Sequence, residues 1–311
     1  MSGSSERTGT TGLAVDQQIS SSFTEKILYV GRLLARDKMG TIGLCIFLMV
    51  VFSAFFAKQI SPYDPLKQDL MSAKKPPVWS EKGTTKHIVG TDNLGRDLLS
   101  RVIYGSRVSL TVGFFGVLIA GSFGMLIGLV SGYSGGRTDN FIMGGVNMIL
   151  ALPYLVFVVF IASILGRSLF NVVLIFGFTN IPIFVRITRG EVLRLKESGY
   201  VESARSVGAS HTRILFDHIL PNLIGPLITI ATFEMSAMIF YEAGLGFLGL
   251  SVPPSVPSWG NMLATGRQYI SIYPWMVTFP GLAIVITGLG LNLFGDWLRD
   301  VFDPRMRRVK R

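Results

Sequence analysis

The stretch YVESARSVGASHTRILFDHILPN, residues 200–222, is a polar segment between two long apolar runs. Its pattern predicts a short helix over 200–207, which Gly208 can end because glycine accepts a positive φ. Ser210 is a residue type that caps helices, so a second helix is predicted to start there and to end at Pro221. Such a rigid projection suits docking into another protein, and an ordinary helical loop between two apolar segments fits the pattern equally well.

Composition places the segment in a membrane protein. The chain has 311 residues, of which 49% are hydrophobic and only 15% are charged, and its mean hydropathy is +0.49. Soluble domains carry about 25% charged residues. The net charge of +10 could indicate nucleic-acid binding, but the basic residues gather beside apolar runs, six of them in 186–213 and six in 299–311. This distribution is typical of segments that flank membrane helices, and no nucleic-acid partner is expected.

Six apolar segments are long enough to cross a bilayer as helices. They are Met39–Ala57, Val108–Val130, Leu150–Leu165, Leu169–Ile187, Leu223–Tyr241 and Trp275–Leu298. The third is short and is expected to extend backwards through Met143. Asn180 and Pro182 predict a kink in the fourth, because proline frees a backbone carbonyl. The predicted fold is an all-α polytopic membrane protein with six transmembrane helices.

The positions of lysine and arginine predict the orientation of these spans. With both termini in the cytoplasm, the cytoplasmic segments are 1–38, the short connection at Arg137, the loop 188–221 and a basic tail at 299–311. Segment 58–107 is then an extracytoplasmic loop, although it contains nine basic residues. Long loops cross the membrane with less regard to charge, so these basic residues do not exclude this placement.

Two further features concern packing and lipid contact. Residues 1–22 have the composition of a disordered tail, and 23–38 have an apolar periodicity that predicts an amphipathic helix on the inner membrane surface. A plain extension of the first span is the alternative.

The second span repeats a small residue every four positions, which predicts close packing against another helix, in this chain or in another. The small residues are Gly116, Ala120, Gly124, Gly128 and Gly132.

Residue types that support catalysis or metal binding are sparse. The chain has one cysteine and three widely separated histidines, so neither a disulfide nor a metal site is expected. No GxxxxGK[ST] phosphate-binding loop occurs, and no Ser/His/Asp set can be placed. We therefore expect no catalytic residue and no cofactor in this chain. If nucleotide powers the protein, ATP and Mg must bind to another subunit.

Glu234 stands alone in the middle of the fifth span, and Asn180 lies within the fourth. An ionisable residue at that depth faces a cavity or a polar partner in most membrane proteins. Glu234 and Asn180 are therefore candidate residues of a substrate pathway, where Glu234 would meet a positively charged group. A hydrogen bond to a neighbouring helix is the alternative for Glu234.

A spaced pattern in the polar segment resembles the EAA signature of ABC importer permeases, EAA-x3-G-x9-I-x-LP. Its residues here are Glu202, Ser203, Ala204, Gly208, His218, Leu220 and Pro221. Ser203 replaces the usual alanine and His218 the usual isoleucine. Other stretches resemble the same family over 85–305, including GTDNLGRDLLSRVIYGSRVSL, SGYSGGRTDN, EAGLGFLGL, PSWGNML and GDWLRDVFDPR. The chain is similar to the dipeptide/oligopeptide/nickel ABC importer permeases of the C-subunit type.

This resemblance implies a type I importer fold in the cytoplasmic membrane of a bacterium or archaeon. It implies four kinds of partner besides lipid: a second homologous permease, two cytoplasmic ATPases and an extracytoplasmic solute-binding protein. The polar segment would be the coupling helix that contacts an ATPase. The residues assigned to that contact are Tyr200, Glu202, Ser203, Ala204, Arg205, Gly208, Ala209, His218, Leu220 and Pro221. Peptides are the favoured substrate, and nickel or another small solute is the alternative.

Two other classes of protein remain open at this level. A secondary transporter or channel would need no ATPase, and inverted repeats are expected there, but the spans on either side of the fourth differ from each other. A membrane enzyme would need paired polar groups within the spans, and only Glu234 and Asn180 are present. The loops 242–275 and 61–105 are equally well interpreted as simple connectors or as docking surfaces for a binding protein.

Overall fold

The computed structural model describes residues 37–302, and these fold as helices joined by loops, without a β-sheet. The main helices are α1 (Lys38–Phe55), α2 (Leu98–Ser134), α3 (Gly136–Leu150), α4 (Tyr154–Leu165), α5 (Leu169–Thr179), α6 (Ile181–Lys196), α7 (Gly199–Ser206), α8 (Leu220–Phe247), α9 (Trp259–Gly266) and α10 (Trp275–Phe302). Shorter turns lie at Ala57–Ile60, Leu70–Ser72, His211–Arg213, Ile214–Ile219 and Arg267–Tyr269. The prediction of an all-helical membrane fold is confirmed.

Five helical runs of the described chain are long and apolar enough to cross a membrane, and a sixth span results if α3 and α4 are taken together. These two helices meet at 84°, so the predicted third span, Leu150–Leu165, is not one continuous helix. Pro153 is the N-cap of α4. Proline disfavours the helical conformation in the residue before it, which explains why the bend falls at 151–153.

The fourth span is interrupted at the position where the kink was predicted. α5 ends at Thr179, α6 begins at Ile181, and Asn180 lies between them. The Asn180 amide donates to the Phe176 carbonyl at 2.8 Å and to the Tyr154 hydroxyl at 2.7 Å. The side chain thus supplies donors at an interruption of the backbone pattern inside an apolar environment.

α2 begins at Leu98, earlier than the predicted Val108, so the last part of the predicted loop 58–107 is helical. Asp97 caps the helix by accepting from the Ser100 backbone N–H at 2.8 Å and also contacts His87 at 2.9 Å. Arg101 lies within this early part and is only 2% exposed. The folded loop buries the Arg101 side chain. The first turns of the helix therefore contain charged residues, and a search for apolar segments did not include them.

The ends of the described chain modify two other boundaries. Asp37 is extended and caps α1 through Met39 and Gly40, so an uninterrupted helix from 23–38 into the first span is excluded at that residue. Residues 1–36 lie outside the described part, and the predictions for 1–22 and 23–38 remain predictions. α10 continues to Phe302, into the predicted tail 299–311, of which 303–311 also lies outside the described part.

The small-residue ridge of α2 packs on helices of the same chain. Gly124, Gly128 and Gly132 face α6, where an added Cβ at Gly128 would lie 2.6 Å from the Thr188 Cβ. Gly116 instead faces Met238 of α8. The prediction of helix packing is confirmed, and the partner helices are internal to the chain. α2 is therefore the central helix against which α6 and α8 are placed.

Candidate functional site

α7 is the short helix that the polar segment predicts, and its ends are defined by local backbone chemistry. Ser198 is extended before the first residue of α7. Glu202 lies in the first turn, where its negative charge interacts favourably with the helix dipole. Gly208 has φ +83°, and the Ala209 N–H donates to the Ala204 carbonyl at 3.0 Å. This is the hydrogen bond of a Schellman ending, which needs a residue in the left-handed region. The predicted helix and turn are confirmed.

The second half of the segment differs from its prediction. Ser210 caps the next helix as expected, because its hydroxyl accepts from the Arg213 N–H at 3.3 Å. Pro221 does not end that helix, since the helical run continues from His211 to Phe247. The residues just before the proline form a π turn, Ile214–Ile219. A proline clashes with the carbonyl four residues before it in a regular α-helix, and the wider turn lies where that conflict would arise.

The residues predicted to contact a partner divide into two groups by exposure. Those that are exposed are Tyr200, Glu202, Ser203, Arg205, Gly208 and Pro221, and those that are half-buried are Ala204, Ala209, His218 and Leu220. Val207 is 85% exposed at the tip, beside Gly208, and Phe216 is 56% exposed. These two apolar residues are not among those that the sequence predicted. An exposed large apolar side chain at a projecting tip is typical of a contact surface.

The underside of the segment is fixed to the helix bundle by a hydrophobic cluster. Its fully buried members are Leu129, Val192, Leu195, Val201, Ile214, Ile219 and Leu223, which come from α2, α6, α7, the π turn and α8. Polar contacts add to it, since the Tyr133 hydroxyl lies 2.7 Å from the His211 Nδ1 and the Lys196 ammonium donates to the Tyr133 carbonyl at 3.0 Å. A force on the exposed face therefore acts on α2, α6 and α8 together.

The two candidate pathway residues lie in different environments. Asn180 is 1% exposed and bonds to Tyr154, whose ring lies 4.7 Å from that of Tyr241 on α8. Glu234 is half-buried on α8, two turns before Tyr241, and makes no hydrogen bond or ion pair with residues 37–302. The structure thus brings Asn180 together with Tyr154 and Tyr241, and it leaves the Glu234 carboxylate free of such a partner in the described chain.

Glu242 is a buried acidic residue outside the candidate pathway. Glu242 is fully buried and accepts from Ser251 at 2.8 Å and from Ser109 at 3.3 Å, so its contacts join α8 to α2 and to the following loop. Across 37–302, no three His, Cys, Asp or Glu side chains gather as metal ligands would.

Comparison with known proteins gives the family. Residues 124–308 match the family model described as the inner membrane component of binding-protein-dependent transport systems. The chain belongs to this family of transport permeases. Residues 29–77 of the permease also match the N-terminal transmembrane domain of oligopeptide transport permease C. The first match includes α7, Glu234 and the broken span, and the second includes α1.

Curated relatives of the permease cover nearly its whole length. The di/tripeptide transport system permease protein DppC of Pseudomonas aeruginosa is 43% identical over 275 residues, which are 88% of this chain and 91% of that protein. The dipeptide transport system permease protein DppC of Escherichia coli K12 is 42% identical over 273 residues, which are 88% and 91%. The oligopeptide transport system permease protein OppC of Bacillus subtilis is 37% identical over 272 residues, which are 88% and 87%.

The fold and the family together establish the general role. The permease is an integral membrane subunit of an ABC transport system, as the sequence resemblance predicts. Family members of this kind work with ATPase and binding-protein partners.

Proposed function

We propose that the permease imports di- or oligopeptides across the cytoplasmic membrane of a prokaryotic cell and has both termini in the cytoplasm. The curated relatives named for peptide transport support this substrate. A second homologous permease would form the other half of the pathway. Two ATPase subunits would bind ATP and Mg on the cytoplasmic side, and a binding protein would deliver the peptide outside. The chain itself would contribute no catalytic residue.

The geometry of α7 and the turn after it is the observation that carries the coupling role. The segment exposes a small-residue helix with an apolar tip, and its underside is joined to three long helices. A partner that binds the exposed tip can therefore move α2, α6 and α8 without deforming the segment 200–222. Transport would follow an alternating-access cycle, in which the loaded binding protein and ATP favour the outward-facing state.

The partner assembly is tested by purification of the tagged chain from its own host in mild detergent, followed by mass spectrometry of the co-purifying proteins and small molecules. We expect a second permease and two ATPases, together with a peptide on any captured binding protein. Nickel or another small solute on that protein would replace peptide as the substrate. A homo-oligomer that transports without ATP would contradict the proposal and favour a secondary transporter or channel.

Val207 provides a direct prediction for the contact surface. We expect Val207→Asp to reduce the recovery of the ATPase subunits by about tenfold or more, because an apolar anchor at an interface contributes about 2 kcal/mol or more and a charge there is desolvated. Recovery is measured by quantitative pull-down at constant permease level. Thr212→Asp is a matched control, since Thr212 is also exposed in the segment. Equal recovery for the Val207 variant and the wild type would remove Val207 from the interface.

Glu234 is the proposed contact for the positively charged amino group of a peptide in the pathway. We expect Glu234→Gln to lower uptake of a radiolabelled dipeptide by about tenfold, because a charge-assisted hydrogen bond contributes about 1.5–3 kcal/mol. Glu234→Asp keeps the charge and is expected to retain more uptake than the glutamine variant. Unchanged uptake of every tested peptide by Glu234→Gln would show that the carboxylate has no role in the pathway.

A further inference from the structure

α3 makes few packing contacts for a helix of its length. It has 15 residues, and only Asp139 and Val146 among them are buried. Phe141 is 85% exposed and Met148 is 74% exposed. An apolar groove lies along the helix, between it and parts of α4, α5 and α6. Because few apolar contacts fix α3 within the chain, other interactions must determine its position.

Two arginines of α6 supply most of these interactions, and the Ser131 hydroxyl of α2 also donates to the Asp139 carboxylate at 2.5 Å. Arg189 makes a bidentate ion pair with Asp139, with both N–O distances at 2.6 Å. Arg186 donates to the Asn147 side-chain oxygen at 3.0 Å. Asp139 and Asn147 are separated by about 12 Å along the α3 axis at 1.5 Å per residue. The contacts therefore hold α3 at two separated points, which fixes its direction as well as its distance from α6.

α6 leads directly into the segment that contains α7. Leu195, near the end of α6, belongs to the hydrophobic cluster that holds Val201 of α7. Lys196, the last residue of α6, donates to the Tyr133 carbonyl. At its other end α3 meets α4 at the 84° bend. A displacement of α7 would thus reach α3 through α6, while the bend leaves α3 free to change its angle to α4.

We propose that Arg186 and Arg189 are positioning residues that make α3 move with α6, so that movement of α7 changes the groove beside α3 and gates the pathway at that end of the membrane domain. This inference rests on the proposed function, in which an ATPase moves α7. The ion pair and the amide contact replace the apolar packing that fixes the other helices. Their directionality keeps α3 aligned with α6 during that movement.

Functional coupling is tested with Asp139→Asn, Arg189→Gln and the double variant in the complete importer, reconstituted in vesicles with binding protein and a radiolabelled dipeptide. We expect each variant to lower the number of peptides transported per ATP hydrolysed by about tenfold, within the range of ordinary coupling energies. The double variant should be no worse than either single variant, since all three remove the ion pair, and an asparagine oxygen at position 139 can still accept from the Ser131 hydroxyl. Equal transport per ATP in all variants, or a parallel fall of transport and ATPase activity, would overturn the proposal.

A second ion pair on α6 gives the matched control. Arg194 contacts Glu191 at 2.6 Å within the same helix and does not contact α3. The variants Glu191→Gln and Arg194→Gln remove a pair of the same chemistry. They should leave the number of peptides per ATP at the wild-type value. If they lower it as strongly as the Arg189 variant does, loss of any charge on α6 is sufficient, and a specific link to α3 is contradicted.

A distance measurement separates this inference from the proposed substrate. Spin labels are placed by Met148→Cys on α3 and Gly190→Cys on α6, in a Cys45→Ser background because Cys45 is the one cysteine of the chain. In the complete importer we expect one narrow distance distribution, both without nucleotide and with ATP and vanadate. Asp139→Asn with Arg189→Gln should broaden it. An unchanged distribution in that variant would refute the link, even if the wild-type importer transports peptides. If the variant shows the expected broadening but the wild-type importer transports no peptide, only the proposed substrate is refuted.

Discussion

Cells that carry Gly208→Asp in place of the wild-type permease are expected to take up radiolabelled dipeptide at less than about one tenth of the wild-type rate. Gly208 has φ +83°, a region that costs residues other than glycine about 1–2 kcal/mol. No atom lies within 4 Å of the position that a Cβ would occupy, so the new carboxylate projects outward beside Val207. In the proposed interface it would be buried without a partner, which costs more than the backbone strain.

Three measurements separate this outcome from simple misfolding. The amount of permease in the membrane fraction should equal that of the wild type, because Gly208 is exposed and lies outside the buried clusters. Recovery of ATPase subunits, or ATPase stimulation by loaded binding protein, should fall with uptake. Gly208→Asn is the matched control, since asparagine tolerates a positive φ and carries no charge. Normal uptake by the aspartate variant would refute the coupling role of this turn.

The polar segment illustrates how far local chemistry predicts structure. Gly208 and Ser210 define helix ends through a φ value and a hydrogen bond that depend on nearest neighbours, and both ends were predicted correctly. The continuation through Pro221 was predicted wrongly, because a π turn changes which carbonyl the proline ring approaches. The exposure of Val207 was also missed. It depends on which side of the segment packs on α2, α6 and α8.

Other differences arise from long-range contacts. The length of the apolar segment placed the start of α2 at Val108, whereas the folded loop buries Arg101 and lets the helix begin at Leu98. The third span was predicted to extend backwards through Met143, and the bend at Pro153 was not predicted, because an angle of 84° depends on where α3 and α4 pack. The contacts of Asp139 with Arg189 join residues that are 50 positions apart. No spacing rule within one helix predicts such a pair, so the sequence did not select Asp139 and Arg189 as functional residues.

The ridge of α2 gives the second large expected effect. Gly128→Leu should prevent accumulation of the permease in the membrane, and Gly128→Ala should lower the midpoint of thermal unfolding in detergent. A Cβ at this position would lie 2.7 Å from the Val185 carbonyl oxygen and 2.6 Å from the Thr188 Cβ. Backbone atoms of α6 cannot rotate away as side chains do. The two helices must therefore separate, at a cost of about 3 kcal/mol for overpacking and more for the larger leucine.

Gly121 of the same helix is the matched control for this effect. Its nearest neighbour would be the Phe184 Cε1, at 3.6 Å from an added Cβ, which is an ordinary contact with the ring of one side chain. Gly121→Ala raises helix propensity by the same amount as Gly128→Ala, so any difference between their unfolding midpoints reports the close approach of α2 to α6. If both alanine variants unfold at the same temperature, the ridge does not fix the helix spacing.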